Sequence, residues 1–198
     1  MNRPKLSHPA ALALLAGLAL LPGIAPAGNG TVLRASDVTV KIEGESTLHA
    51  WQATASSVSV SAGIHAGESL SAAVKDHGLD GLALVLDVDS LKSTEGGGMD
   101  KNMWNAFEAD KFPKIQFNMK SYRLEGQTVT AQGDLSMHGQ TKAVTLSGFA
   151  DIKGNKLAIK GVYLMKMSDF GIKPPVMMFG TIRTSDPVKI YFGFKLND

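Results

Sequence analysis

The chain contains no cysteine. Disulfide bonds, thiolate metal sites and a lipid anchor attached through cysteine are therefore excluded. A small domain held together by disulfides is excluded for the same reason. Whatever domain this chain forms must be stabilised by its apolar core alone.

Long hydrophobic runs are also missing. The apolar run from Ala10 to Leu21 covers about a dozen residues, whereas about 20 are needed to cross a bilayer. Arg3 and Lys5 precede this run and Ala25-Pro26-Ala27 follows it, an arrangement typical of a secretory signal peptide. We expect residues 1–27 to be cleaved and residues 28–198 to form one domain that is periplasmic or secreted. An uncleaved membrane anchor is the alternative.

Excess positive charge is confined to the predicted leader. The chain has 20 Lys and Arg against 18 Asp and Glu, and two of these bases lie in residues 1–27, so the remaining 171 residues balance 18 against 18. A neutral chain without Lys/Arg clusters has no electrostatic footprint for nucleic acid or for an anionic membrane. Its length is sufficient for one domain with a sizeable core.

Motifs for catalysis or metal binding are scarce. The histidines outside the leader have no paired spacing such as His-x-His or His-Glu-x-x-His, and the nucleophile elbow Gly-x-Ser-x-Gly does not occur. Asp169-Phe170-Gly171 matches the magnesium-binding tripeptide of protein kinases, but the other kinase motifs are missing. We therefore expect no enzyme, no cofactor and no metal site. The dispersed histidines are His49, His65, His77 and His138.

Alternating apolar and polar residues dominate the rest of the chain. Between Gly126 and Phe149 the alternation is interrupted once, at His138, Gly139 and Gln140. A period of two is typical of half-buried strands, so this segment predicts a β-hairpin. The apolar face of its first strand consists of Val129, Ala131, Leu135 and Met137.

The same alternation predicts eight strands with short connections. In the last of them Val188, Ile190, Phe192, Phe194 and Leu196 form one apolar face. Short, regularly spaced strands with few helical segments between them favour an antiparallel sandwich or barrel. The segment from His65 to Gly78 is ambiguous and can be an insertion. The predicted strands are 31–43, 54–64, 79–89, 112–123, 126–137, 142–152, 156–167 and 182–196.

One segment has helical spacing. After a loop over Ser93 to Gly98, Asp100 is positioned to cap a short helix, and Pro113 follows it. Two interpretations remain: the helix closes one end of the barrel with core side chains, or it is a gate beside a ligand cavity. Its apolar stripe consists of Met99, Met103, Ala106 and Phe107.

Four runs, in order, resemble the YceI-like family of exported lipid-binding proteins. They are Gly44–Trp51, Phe107 with Asp110–Phe117, Gly133–Leu146 and Ser168–Ile172. The resemblance covers nearly all of residues 28–198. It implies an all-β fold, an extended antiparallel eight-stranded lipocalin-like barrel with one short helix, whose tubular pocket holds a long isoprenoid chain.

The sequence is compatible with a hollow barrel and with a filled one. A barrel of eight strands is near the size at which side chains fill the interior or one ligand occupies it. Leu82 and Val144 belong to the apolar residues that would line such an interior. The predicted ligand-binding residues are Leu84, Leu86, Ile115, Phe117, Met119, Val129, Leu135, Met137, Leu146, Ile159, Tyr163, Met165, Phe192 and Phe194.

The loop from Gly171 to Gly180 is unusually apolar for a connection between strands. Pro174-Pro175 disfavours regular structure there, while Ile172 and Val176 are apolar. The loop is interpreted either as a rim that touches ligand or membrane or as a cap on the core. His49 is interpreted either as a partner in a structural hydrogen bond or as a head-group contact. The predicted head-group or rim residues are His49, Trp51, Met177, Met178 and Phe179.

Three functions from different classes fit these features. The favoured one is an exported protein that holds an isoprenoid lipid, such as a quinone or a polyprenyl phosphate, for transport, storage or sequestration. A ligand-free barrel that acts as an interaction module near a membrane redox protein is the alternative, and an enzyme acting on a hydrophobic substrate is less favoured. Transient membrane contact is possible in the first case. Both a monomer and a homodimer remain open.

Overall fold

The computed structural model describes residues 30–198, so the predicted signal peptide lies outside the described residues. The described chain forms a single antiparallel sheet with two short helices. The strands are β1 (Gly30–Val32), β2 (Arg34–Ser46), β3 (Ala50–Ala55), β4 (Val58–His65), β5 (Asp80–Asp87), β6 (Leu91–Ser93), β7 (Lys114–Glu125), β8 (Thr128–Met137), β9 (Gln140–Lys153), β10 (Lys156–Lys166), β11 (Val176–Met177) and β12 (Ile182–Asn197), and the helices are α1 (Leu70–Lys75) and α2 (Gly97–Ala106).

The sheet curls into a barrel because the first segment of the chain, β1 together with β2, pairs with β4 on one side and with β12 on the other. The strand order is β1-β4-β5-β7-β8-β9-β10-β12-β2-β3-β6, with β11 on β12. Only Leu33 separates β1 from β2, and its N–H donates to the Ala62 carbonyl at 2.9 Å. This continuous segment therefore pairs with β4 at one end and with β12 along the rest. The ring consists of eight strands if β1 and β2 are counted as one, as the sequence predicted.

The unpredicted strands β3, β6 and β11 are short. β6 has three residues and β11 has two, too few to show a period of two. The prediction of one strand over 54–64 is wrong at its start, because β3 ends at Ala55 and β4 begins at Val58. Ser56 and Ser57 form the turn between them.

The predicted hairpin between β8 and β9 is present with a two-residue turn. His138 and Gly139 both have positive φ, 50° and 71°, the geometry that matches the twist of the flanking strands. Gln140 is opposite Met137 in register, so it is the first residue of β9 and not part of the turn.

Helix α1 closes the end of the barrel near the β7–β8 turn. It lies in the segment that the sequence left ambiguous, and the Ser69 side chain caps it by accepting from the Ala72 N–H. Leu70, Ala73 and Val74 are buried. The Tyr122 hydroxyl of β7 donates to the Val74 carbonyl at 2.9 Å, which fixes the helix to the barrel.

Helix α2 lies at the opposite end, near the β8–β9 turn. The prediction that Asp100 caps it is wrong: the helix begins at Gly97, and the cap residue Gly96 supplies no side chain. Asp100 is inside the first turn and buried, and its carboxylate accepts from the Ser93 N–H at 2.6 Å. It therefore ties the helix to β6. Lys92 Nζ lies 3.8 Å from the same carboxylate.

Candidate functional site

An apolar cavity of about 160 Å³ runs through the barrel interior. Val74 of α1 borders it at one end, and Met99 and Met103 of α2 border it at the other. Its walls come from the inward faces of the ring strands, and no charged residue or histidine of the described chain lines it. An environment of this kind favours apolar ligands.

All fourteen predicted ligand-binding residues border this cavity. Leu82 borders it too, whereas Val144 does not. Val144 faces inward from β9 opposite Gly133, but it lies beyond the edge of the cavity. The residues at the cavity wall are Leu84, Leu86, Ile115, Phe117, Met119, Val129, Leu135, Met137, Leu146, Ile159, Tyr163, Met165, Phe192 and Phe194.

The contributions of β2 and α1 to the cavity lining were not predicted from the sequence. Val40 and Ile42 of β2 and Val74 of α1 border the cavity. The alternation of Val38, Val40 and Ile42 marked β2 as a strand and was the available signal for its inward face. Nothing in the sequence of α1 placed it at the barrel end, because that contact depends on Tyr122.

The size of the cavity limits what it accepts without rearrangement. An apolar cavity of about 150 Å³ takes one benzene molecule, so a long isoprenoid requires the lining to open. Methionine side chains are flexible and adapt to irregular shapes. Methionines are frequent in this lining: Met99, Met103, Met119, Met137, Met165 and Met167.

Trp51 is the one predicted head-group or rim residue that borders the cavity. It is buried opposite Gly44 in register, and a side chain at Gly44 would collide with its indole ring. The indole N–H donates to the Glu45 carbonyl at 3.3 Å. Gly44 therefore makes room for an aromatic wall residue.

His49 lies outside the cavity, in the turn between β2 and β3. Its Nδ1 donates to the Ala50 carbonyl at 2.7 Å, and its Nε2 lies 3.7 Å from the Glu95 carboxylate. Both groups are exposed. The structure thus places His49 in a hydrogen bond at a strand end, away from the cavity lining.

The loop from Gly171 to Gly180 has a buried part and an exposed part, so the core-cap interpretation applies to the first and the rim interpretation to the second. Ile172 is buried and borders the cavity. Met177 is half-buried, and its sulfur accepts from the Asn102 side-chain amide at 2.8 Å. Met178 and Phe179 are exposed and have positive φ of 50° and 54°, which is uncommon for residues other than glycine. The first part of the loop caps the core, and its tip points into solvent.

Two of the polar residues at the cavity wall are tyrosines, Tyr122 and Tyr163. Burial raises the pKa of Tyr163, and the nearby Asp169 carboxylate raises it further. Burial also raises the pKa of Tyr122, whose hydroxyl oxygen accepts from the Leu79 N–H at 3.3 Å. At pH 7 both phenols are protonated donors.

Residues 30–198 have neither a metal-binding cluster nor a membrane-spanning helix. These residues contain no cluster of three or more His, Asp or Glu arranged to hold a metal ion. None of their helices is long and apolar enough to cross a membrane. The kinase-like Asp169 caps a turn instead, since its carboxylate accepts from the Lys166 N–H at 3.1 Å.

The chain shares its fold with solved structures that include the following three. BcnA of Burkholderia cenocepacia is 16% identical with a TM-score of 0.61, covering 80% of this chain and 95% of that one. The Campylobacter jejuni YCEI protein is 18% identical with a TM-score of 0.59, covering 74% and 84%. A polyisoprenoid binding domain from Saccharophagus degradans, implicated in plant cell wall breakdown, is 14% identical with a TM-score of 0.58, covering 84% and 97%. No curated protein matches the chain in sequence.

Sequence identities of 14–18% show only that these three proteins have the same fold as this chain. The profile of the YceI-like domain, however, matches the chain in sequence over residues 32–196. This range includes all four runs that resemble the family, and it covers the ring strands except for Gly30 and Thr31 of β1 and Asn197 of β12. The chain therefore belongs to the YceI-like domain family.

Proposed function

We propose that this protein is an exported carrier that binds an isoprenoid lipid, of the quinone or polyprenyl phosphate type, in the barrel cavity. The observation that carries the proposal is the continuous apolar cavity between α1 and α2. The polyisoprenoid binding domain of Saccharophagus degradans, with the same fold, supports it.

The ligand's tail dominates its affinity. Burying a methylene group contributes about 0.8 kcal/mol, whereas a hydrogen bond to a charged head group contributes about 1.5–3 kcal/mol net. A tail of several isoprene units therefore outweighs its head. Selectivity follows tail length and the ability of the methionine-rich lining to open.

Binding without chemical conversion agrees with the residues at the cavity wall. Histidine and carboxylate side chains are the commonest general acids and bases, and none of the described ones borders the cavity. Among the described residues, Tyr122 and Tyr163 are the only lining side chains of a type that serves in this way. The transport, storage or sequestration of an unchanged lipid fits this lining.

The ligand is identified by extraction of the protein purified without detergent. We expect mass spectrometry of the organic extract to show a prenyl lipid in a molar ratio near one. Lipid-free protein that also fails to take up added prenyl lipids contradicts the proposal and favours the interaction module. Chemical conversion of an added lipid favours an enzyme.

The compartment has its own test. Ala25 and Ala27 occupy the positions that signal peptidase prefers, so the mature chain is expected to begin at Gly28 in the periplasm or outside the cell. N-terminal sequencing of the exported protein checks this. An intact leader on protein from the membrane fraction contradicts it.

A further inference from the structure

The barrel wall has an opening between β9 and β10. These strands pair only from Lys153 opposite Lys156 to Gly148 opposite Gly161. Beyond that point β9 pairs with β8 alone and β10 pairs with β12 alone, each to the end of its strand. The seam therefore lacks its hydrogen-bond ladder between residues 140–147 of β9 and residues 162–166 of β10.

Both limits of the opening are closed by packing. At the lower limit, a side chain on Gly161 would collide with the Phe192 ring and approach the Ser147 carbonyl to 2.6 Å, so the strands meet closely there. At the upper limit the chain after β10 turns across the gap. Phe170 is buried in that turn, and its carbonyl accepts from His138 Nδ1 at 3.0 Å.

The cavity extends to this opening. Leu146 and Tyr163 border the cavity from the two sides of the gap. Ser147 also borders it, although its neighbours Leu146 and Gly148 hold the inward-facing positions on β9. The cavity must therefore reach the edge of the strand. On the outer surface the exposed apolar side chains Val162 and Leu164 flank the gap, and exposed Phe149 lies just outside its lower limit.

Two hydrogen-bond donors lie at the opening. The Tyr163 side chain borders the cavity, its hydroxyl forms no hydrogen bond with another residue of 30–198, and the Asp169 carboxylate lies near it. Lys142 lies opposite the cavity residue Leu135, so it belongs to the inward-facing row of β9. It is exposed, and its Nζ lies 5.6 Å from the centroid of the Phe170 ring. It forms no salt bridge within residues 30–198.

A polar head group buried in the apolar interior is costly unless it is hydrogen-bonded. The cavity ends at α1 and α2 are lined by apolar side chains such as Val74 and Met103. The opening between β9 and β10 offers donors and access to water together. It is therefore the favourable position for the polar part of a ligand whose tail fills the cavity.

We propose that the ligand's head group lies at the opening between β9 and β10, where the Tyr163 hydroxyl and the Lys142 ammonium donate to it. The inference rests on the proposed function and names the head chemistry: oxygen atoms that accept hydrogen bonds. A quinone carbonyl and a prenyl phosphate both supply them. A quinone depends on Tyr163 alone, whereas a phosphate also depends on the charge of Lys142.

The test compares three probes with the same prenyl tail: a quinone, a phosphate and the hydrocarbon without a head. Each is titrated into wild-type protein, Tyr163→Phe and Lys142→Gln, with binding followed by the fluorescence of the cavity residue Trp51. Matched controls are Tyr191→Phe and Lys156→Gln, which remove the same groups from the outer face of β12 and from the far end of β10.

We expect Tyr163→Phe to raise the Kd of the head-bearing probes by about 2–10-fold and to leave the hydrocarbon's Kd unchanged. Lys142→Gln is expected to weaken the phosphate by about tenfold or more and the quinone little. Equal Kd values for the head-bearing probes in wild-type protein and both variants overturn the head-group site while leaving lipid binding intact. Wild-type protein that binds none of the three probes overturns the proposed function as well.

Discussion

Gly44 and Trp51 lie opposite each other on β2 and β3, and the indole covers the glycine. Close packing in protein interiors leaves no space for an added methyl group at such a contact. The residue pair was visible in the sequence as part of one run, but the contact depends on the register of two strands.

Gly44→Ala is expected to destabilise the protein by about 1–3 kcal/mol, because the new methyl group displaces the indole from the cavity wall. Urea unfolding measures the change. Gly98→Ala is the control, since no atom lies within 4 Å of the added group and alanine is favoured in a helix by about 0.5–1 kcal/mol. Equal stability of Gly44→Ala and wild type contradicts the packing role.

Asp186 connects β12 to the turn beside the opening. Its carboxylate accepts from the Ser168 hydroxyl at 2.5 Å and from the Ser168 N–H at 2.8 Å, and these bonds lower the pKa of Asp186 below its ordinary value of 3.8. A carboxyl with a lowered folded-state pKa stabilises the fold above its unfolded-state pKa. The contribution is lost as the pH falls through the folded-state pKa.

The Tm of Asp186→Asn is therefore expected to be below that of wild type at pH 6, and the difference should shrink below about pH 4. Thermal unfolding at a series of pH values measures it. Asp110→Asn serves as control, because Asp110 is exposed and forms no ion pair within residues 30–198. A difference between Asp186→Asn and wild type that does not change with pH contradicts this role.

At the scale of elements, the strands with clear alternation were predictable and the short ones were not. β8, β9 and β12 expose one face and bury the other, so their sequences carry the pattern. β3 consists largely of small residues, and its pairing depends on β2 and β6. The position of α1 depends on Tyr122, which is distant in sequence. The local sequence pattern of α1 therefore cannot predict its contact with Tyr122.

The tip of the loop after Gly171, Met178 and Phe179, is where we expect substitutions to change lipid transfer without changing stability. Met178→Ser with Phe179→Ser should change the free energy of unfolding by about 0.5 kcal/mol or less, because both side chains are exposed. If the tip inserts into a bilayer during transfer, the double variant should slow lipid transfer to vesicles by about tenfold. Stopped-flow transfer of a fluorescent prenyl lipid measures this.

Val32→Ser is the control for the loop, since Val32 is exposed in β1, away from this tip. Unchanged transfer by the double variant shows that the tip does not contact the bilayer. A collapse of stability instead assigns the tip to the core.

At the scale of the whole molecule, the decisive feature is a barrel with an interior cavity. Leu135→Trp adds bulk to that cavity. We expect the variant to fold with a loss of less than about 1 kcal/mol, because the ring can enter existing space, and to retain far less long-tail lipid per mole of protein than wild type. A filled core would instead lose about 1–3 kcal/mol.

Leu196→Trp is the matched control on β12. Leu196 is fully buried and does not border the cavity, so overpacking should destabilise that variant by about 1–3 kcal/mol. Normal lipid content in stably folded Leu135→Trp contradicts a tail at this position.

The sequence by itself determined the approximate spans of the eight ring strands, the inward faces of β5, β7, β8, β9, β10 and β12, the position of the β8–β9 turn and the family. Each of these features depends on local periodicity or on short runs such as Ser168–Ile172, whose residues are close together in the sequence. The tertiary structure alone decided that β1 and β2 close the ring, that α1 and α2 cover its ends and that β9 and β10 separate beyond Gly148 and Gly161. It also decided that the interior is hollow. These features depend on contacts between residues far apart in the chain, because the space between side chains is set by register and closure and not by any one strand's pattern.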